Sequence, residues 1–143
     1  PRREPVRLDD HRAMSRLLVA CALGVAAIDL EEDEVTLVDD EPFPPNEVAS
    51  LGLPLLVAAD RVGARIAAVV ERRPPLLLSD DAGATWRELG GGLPPGIDVA
   101  IDDDMPDTMA FATTSKIYLS NSGGVFWRSL ESELPEITAV RWW

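Results

Sequence analysis

Apolar residues along the chain come in short runs, and each run ends at Gly, Pro, Asp, Ser or Asn. Arg16 to Leu30 is apolar nearly all round if wound as one helix, but it fits a buried sheet as two strands broken near Leu23-Gly24. Glu31 to Glu34 is an acidic turn, Val35-Thr36-Leu37-Val38 is a β-branched strand, and three prolines between Asp39 and Pro45 prevent its continuation. Further on, Gly96 to Asp102 alternates as a strand, Asp103 to Asp107 turns, and Thr108–Thr113, Lys116–Leu119 and Phe126–Leu130 supply three more strands. Val6-Arg7-Leu8 alternates as a short edge strand. Pro135 to Trp143 repeats the opening of the preceding unit and then stops, leaving one strand that must find a sheet or stay an exposed edge.

The runs recur with a period. Ser79-Asp80-Asp81-Ala82-Gly83-Ala84-Thr85-Trp86 returns 41 residues later as Ser120-Asn121-Ser122-Gly123-Gly124-Val125-Phe126-Trp127. The second copy keeps the serine, glycine and tryptophan, with Ser122 for the Asp and Phe126 for the Thr. Leu37, Leu78 and Leu119 stand at the same interval of 41, as do Asp40, Asp81 and Ser122, and Val25–Ile28 lies 41 before Ile66–Val69. Three units follow, over residues 16–51, 52–94 and 95–134, with 135–143 as an orphan strand for a neighbouring unit. Each of the two clear motifs sits between an apolar strand and an aromatic one, so it is the turn of a β-hairpin. Gly83 and Gly124 supply left-handed backbone, Asp81 is placed to accept from turn amides, and the tryptophan gives the second strand an apolar body to bury.

The Ser-x-Asp-x-Gly-x-Thr-Trp pattern carried by Ser79, Asp81, Gly83, Thr85 and Trp86, and by Ser120, Gly124 and Trp127 in the second copy, resembles the Asp-box, or BNR repeat, of sialidases, sortilin-type receptors and photosystem-assembly propellers. The resemblance implies an all-β fold made of propeller blades of four antiparallel strands, with the box as a structural hairpin on the outer side of each blade. It implies about three blades in this chain, with inner strands at Leu17–Ala20, Leu55–Ala58 and Ile97–Ile101. A ring usually needs about four to eight blades. An open half-ring would bare two apolar faces, so a homodimer closing a six-bladed ring is the expected assembly.

Charge narrows the partners. The chain carries 25 acidic and 13 basic residues, a net charge of −12, and Lys116 is the only lysine. That balance argues against nucleic acid and against an anionic membrane surface, and leaves a protein or carbohydrate ligand. The single cysteine, Cys21, offers no internal disulfide and no metal set, and no cofactor is expected. Met14 to Cys21 imitates a lipoprotein signal, but only four apolar residues separate Arg16 from Cys21, against a signal core of about 7–15. Leu17–Cys21 therefore reads as a buried strand, and a cytoplasmic location is the expectation.

Candidate chemistry is sparse. A sialidase site needs an arginine cluster and a Tyr-Glu pair, and the one tyrosine, Tyr118, stands beside the second box. The one histidine, His11, lies in a polar segment without a neighbouring nucleophile. Asp102-Asp103-Asp104 reads as a solvated turn rather than a cation site, and Gly90-Gly91-Gly92 precedes Leu-Pro-Pro rather than a helix, so it is a linker between units and not a phosphate loop. No catalytic, metal-binding or cofactor-binding residue stands out. The reading is a non-catalytic binding or scaffolding module. Its alternative is a carbohydrate-active enzyme whose site lies in a channel between two chains, with paired carboxylates and one raised pKa.

Overall fold

The computed structural model describes residues 16–32, 34–38 and 53–142. Those residues are all-β, with three four-stranded antiparallel sheets and no helix. The strands are β1 (Arg16–Cys21), β2 (Gly24–Asp29), β3 (Glu34–Leu37), β4 (Leu56–Val62), β5 (Arg65–Val70), β6 (Leu76–Ser79), β7 (Arg87–Leu89), β8 (Asp98–Ile101), β9 (Met109–Ala112), β10 (Ile117–Ser120), β11 (Arg128–Ser129) and β12 (Ala139–Trp142). Sheet II is β4-β5-β6-β7 and sheet III is β8-β9-β10-β11, both simple meanders. Sheet I has the order β12-β1-β2-β3, so its edge strand comes from the far end of the chain.

That order answers one expectation and corrects two. The C-terminal strand finds its sheet in the first unit of its own chain: β12 pairs with β1, from Leu17↔Trp142 to Ala20↔Ala139. Leu17–Ala20 is not an inner strand; it stands second in its sheet, where β5 and β9 stand in theirs, and β12 takes the edge. The interval of 41 therefore places the first unit one strand out of step. Val25–Ile28 lies in β2, which occupies the third place held by β6 and β10, and is not the counterpart of Ile66–Val69 in β5. Apolar runs of similar composition on adjacent strands hide such a slip, and only the pairing partner of β1 resolves it. Val6–Leu8, Asp40 and Trp143 lie outside the described residues.

The sheets stack in the order II, III, I. Edge strand β8 lies against both β4 and β12, while β4 and β12 make no contact with each other. Between sheets II and III, Ala67, Val69, Leu76 and Leu78 meet Val99, Ile101, Met109 and Phe111. Phe111 also meets Trp127 edge-on, with centroids 6.1 Å apart, and Tyr118 at 6.2 Å. Between sheets III and I, Leu17, Val19, Ala26, Ile28 and Val140 pack on Ala100, Ala110, Ala112, Ile117 and Leu119. The alternation of a β-strand explains the split, since Val99 and Ile101 face one seam and Ala100 faces the other. The outer face of sheet II is buried as well, with Ala68, Val70 and Leu77 packed against Leu53, Leu56 and Trp86. On sheet I, Leu18 and Ala27 are likewise buried. The bare apolar faces expected of an open half-ring are thus not found at these positions.

Candidate functional site

The two motif hairpins share one hydrogen-bond scaffold. In the first, the Ser79 Oγ accepts from the Gly83 amide at 2.8 Å and donates to Asp81 Oδ1 at 2.7 Å. Asp81 Oδ1 also accepts the Thr85 amide at 2.9 Å, and Oδ2 accepts the Thr85 hydroxyl at 2.6 Å. These bonds, the Thr85 hydroxyl foremost, hold the Asp81 carboxyl down at about 2. In the second hairpin the Ser120 Oγ accepts from the Gly124 amide at 3.0 Å, and the Ser122 Oγ accepts from the Phe126 amide at 2.9 Å. Trp127 Nε1 then closes the turn on the Gly124 carbonyl at 2.8 Å. Both turns place two successive residues in the left-handed region: Ala82 and Gly83 at φ 59° and 96°, Gly123 and Gly124 at 68° and 92°. Both also reach back to the neighbouring loop, through the Ala82 amide to the Ala64 carbonyl at 2.9 Å and the Gly123 amide to the Asp107 carbonyl at 3.0 Å. Both Asp81 oxygens are thus engaged in holding the turn.

The charged groups that sequence reasoning missed lie on the edge strands. Asp60 of β4 accepts the Ile101 amide of β8 through Oδ2 at 2.7 Å, and its own neighbour's amide, Arg61, through Oδ1 at 2.8 Å. Asp98 of β8 accepts the Val140 amide of β12 at 2.9 Å. The two bonds span 41 and 42 residues, one repeat of the chain. A strand at the edge of a sheet leaves alternate amides without a ladder partner, and a carboxylate from the next sheet satisfies one of them. Trp142 supplies the converse, donating its indole N–H to the Ala100 carbonyl of β8 at 3.0 Å.

The two carboxylates differ in company. Asp98 is buried and paired with Arg141, whose Nη1 lies 2.6 Å from Oδ2. Asp60 has no ion pair among the described residues. Burial pushes its carboxyl above the usual carboxylate value, against the lowering effect of the Ile101 and Arg61 amides. A carboxylate on a largely apolar strand, as at Asp60 in Leu56–Val62 and at the start of Asp98–Ile101, was the available signal, because such a group must find a partner when the strand is buried.

A third set of charges ties the outer rims of sheets II and III. Arg65 donates through Nε to Asp80 at 2.7 Å, and through Nη1 to the Pro106 carbonyl at 2.8 Å and to Asp107 at 2.9 Å. The bond from Arg65 holds Asp80 below the usual carboxylate range, and Arg87 adds a contact at 3.0 Å. Beside this rim, a shallow depression of about 180 Å³ is lined by Leu78, Asp80, Asp81, Thr85, Trp86 and Arg87. Every carboxylate in it is already engaged in an ion pair or in the turn. Compared with protein-family models, curated proteins and solved structures, the chain matches none.

Proposed function

We propose that this chain is a non-catalytic binding or scaffolding module, whose three sheets are consecutive blades of an Asp-box type propeller. The observation that carries the reading is the use made of the edge strands. Asp60, Asp98, Arg141 and Trp142, polar and aromatic side chains of the edge strands, hold one sheet to the next through backbone groups and an ion pair. A carboxylate that must release a backbone amide before it can act on a substrate is a poor general acid. Completion of a ring by a second copy belongs to the same reading. Because the outer faces of sheets I and II are largely covered, the second copy would join at the edge strands rather than over a wide apolar face.

One observation favours the carbohydrate-active alternative. Asp60 is the one described carboxyl pushed upward; burial is the main cause, and the nearby charge of Asp98 adds a smaller push that the charge of Arg141 opposes. Light scattering across a concentration range, run beside a hydrolysis assay on aryl glycosides, separates the readings. We expect a mass of twice the 15.5 kDa chain and no turnover. Turnover that disappears in Asp60→Asn would overturn the non-catalytic reading, and a monomer at all concentrations would overturn ring completion.

A further inference from the structure

At the end of sheet II opposite the motif hairpin, the β5–β6 loop and the linker from β7 to β8 enclose an open cavity of about 510 Å³. Arg72 and Arg73 line one side, and Gly91, Gly92 and Leu93 line the other, with proline rings between. Both arginines are exposed, and neither makes an ion pair or hydrogen bond with any described residue. This is notable in a chain with 25 acidic residues. The linker is held in place: the Leu93 amide donates to the Gly90 carbonyl at 2.9 Å, and the Leu93 side chain packs against the seam core. Gly90 and Gly92 take φ 76° and 91°, in the left-handed region. The amides of Gly91 and Gly92, within this turn, have no acceptor among the described residues.

Two arginine side chains and two glycine amides without a protein acceptor among the described residues line the same cavity, and together they offer the donor types that an oxyanion requires. We infer that this cavity is a binding site for an oxyanion, a carboxylate or phosphate group carried by a ligand. The guanidinium forks supply charge and paired N–H donors, and the glycine amides supply a fixed concavity that no side chain obstructs. The site gives the binding-module reading a ligand class, and rests on that reading only for its biological use. It is built from one sheet and its linker and does not depend on a second copy.

Two-dimensional ¹H–¹⁵N correlation spectra of the full chain test the assignment, titrated with sodium phosphate and separately with sodium acetate at constant ionic strength set by chloride. Saturable shifts of the Gly91 and Gly92 amides are expected, with affinity reduced about tenfold or more in Arg72→Gln/Arg73→Gln. A response to phosphate alone assigns a phosphate-bearing ligand, to acetate alone a carboxylate, and to both an oxyanion without preference; each supports the site. Amides that shift no more than residues elsewhere in the wild-type chain overturn it, as do shifts that survive in a variant whose spectrum shows it folded. The mass of the same sample, read by light scattering, reports on ring completion separately. A monomer that binds the anion would sink the ring and leave the pocket standing.

Discussion

The two seams of the stack solve one problem with different means. Each joins an edge strand to the next by a carboxylate on a backbone amide, Asp60 to Ile101 at the II/III seam and Asp98 to Val140 at the III/I seam. The III/I seam adds Arg141 on the same carboxylate and Trp142 on the Ala100 carbonyl. The II/III seam has neither. It relies on large side chains, Phe111, Met109, Leu76 and Leu78, and on Arg65 at the rim, whereas the III/I seam sets three alanines, Ala100, Ala110 and Ala112, against sheet I. The difference follows from connectivity. Sheets II and III adjoin in sequence, but sheet I takes its edge strand from the chain's far end, and β12 is held by specific polar bonds that fix its register.

Loss of the buried pair should separate the seams most. Asp98→Ala takes the buried Asp98 carboxylate from the half-buried Arg141 and the acceptor from the Val140 amide, and should cost about 3–5 kcal/mol in urea unfolding. Hydrogen exchange should then show β12 and β1 opening before sheets II and III. An equal rise of exchange in all three sheets would mean that the pair stabilises the molecule as a whole and does not specifically dock the C-terminal strand.

The packed seam is tested by its hairpin. A Cβ on Gly124 would lie 2.6 Å from Leu89 Cδ1 and 3.0 Å from Met109 Cε, at φ 92°. Gly124→Ala should therefore cost about 2–4 kcal/mol, combining left-handed strain with overpacking between sheets II and III. At Gly83 the nearest atom to a Cβ is 3.7 Å away, so Gly83→Ala should carry the backbone strain alone, about 1–2 kcal/mol. Equal losses at both sites would show that the second hairpin does not bear on the seam. A gain is expected next door. Ala82 holds φ 59° where the second hairpin has Gly123, and Ala82→Gly should stabilise the chain by up to about 1 kcal/mol, read as a rise in midpoint.

These hairpins were the most legible part of the sequence, because their chemistry is local: the serine, aspartate, glycine and threonine that make the turn lie within seven residues of one another. Sheet III was legible for the same reason, each strand following the last through a short turn. Sheet I was not. Its edge strand arrives from a distance shown by the bond of Thr138 to the Ala20 carbonyl, 118 residues apart, and no periodicity reports a pairing of that span. Strand β3 is exposed throughout, so its apolar residues Val35 and Leu37 said nothing about burial. The staples were hidden by the opposite fault. Asp60 and Asp98 look like ordinary polar interruptions until their partners one repeat away are known, while the conspicuous acidic run at Asp102–Asp104 is a turn in which the Asp102 carboxylate caps the Asp104 amide at 2.9 Å.

The smallest effect sharpens the contrast between the two carboxylates. Asp60 has a raised pKa because burial outweighs its amide bonds, so the folded chain binds its proton more tightly than the unfolded chain does. Stability from this group is fully present below the unfolded value of about 3.9 and declines as pH rises from there through the folded pKa, after which it stays flat. Asp60→Asn keeps an oxygen for the Ile101 amide and removes the charge. It should be neutral to stabilising by up to about 1 kcal/mol at pH 7, and the variant should gain on the wild type as pH rises above about 4. Asparagine at Asp98 should instead destabilise at neutral pH, because Arg141 loses its counter-charge. Urea midpoints of both variants from pH 3 to 7, at a spacing of about half a unit, give the comparison directly. If Asp60→Asn were destabilising at pH 7 like its partner, the charge on Asp60 would be holding the II/III seam, and the two seams would be electrostatic alike.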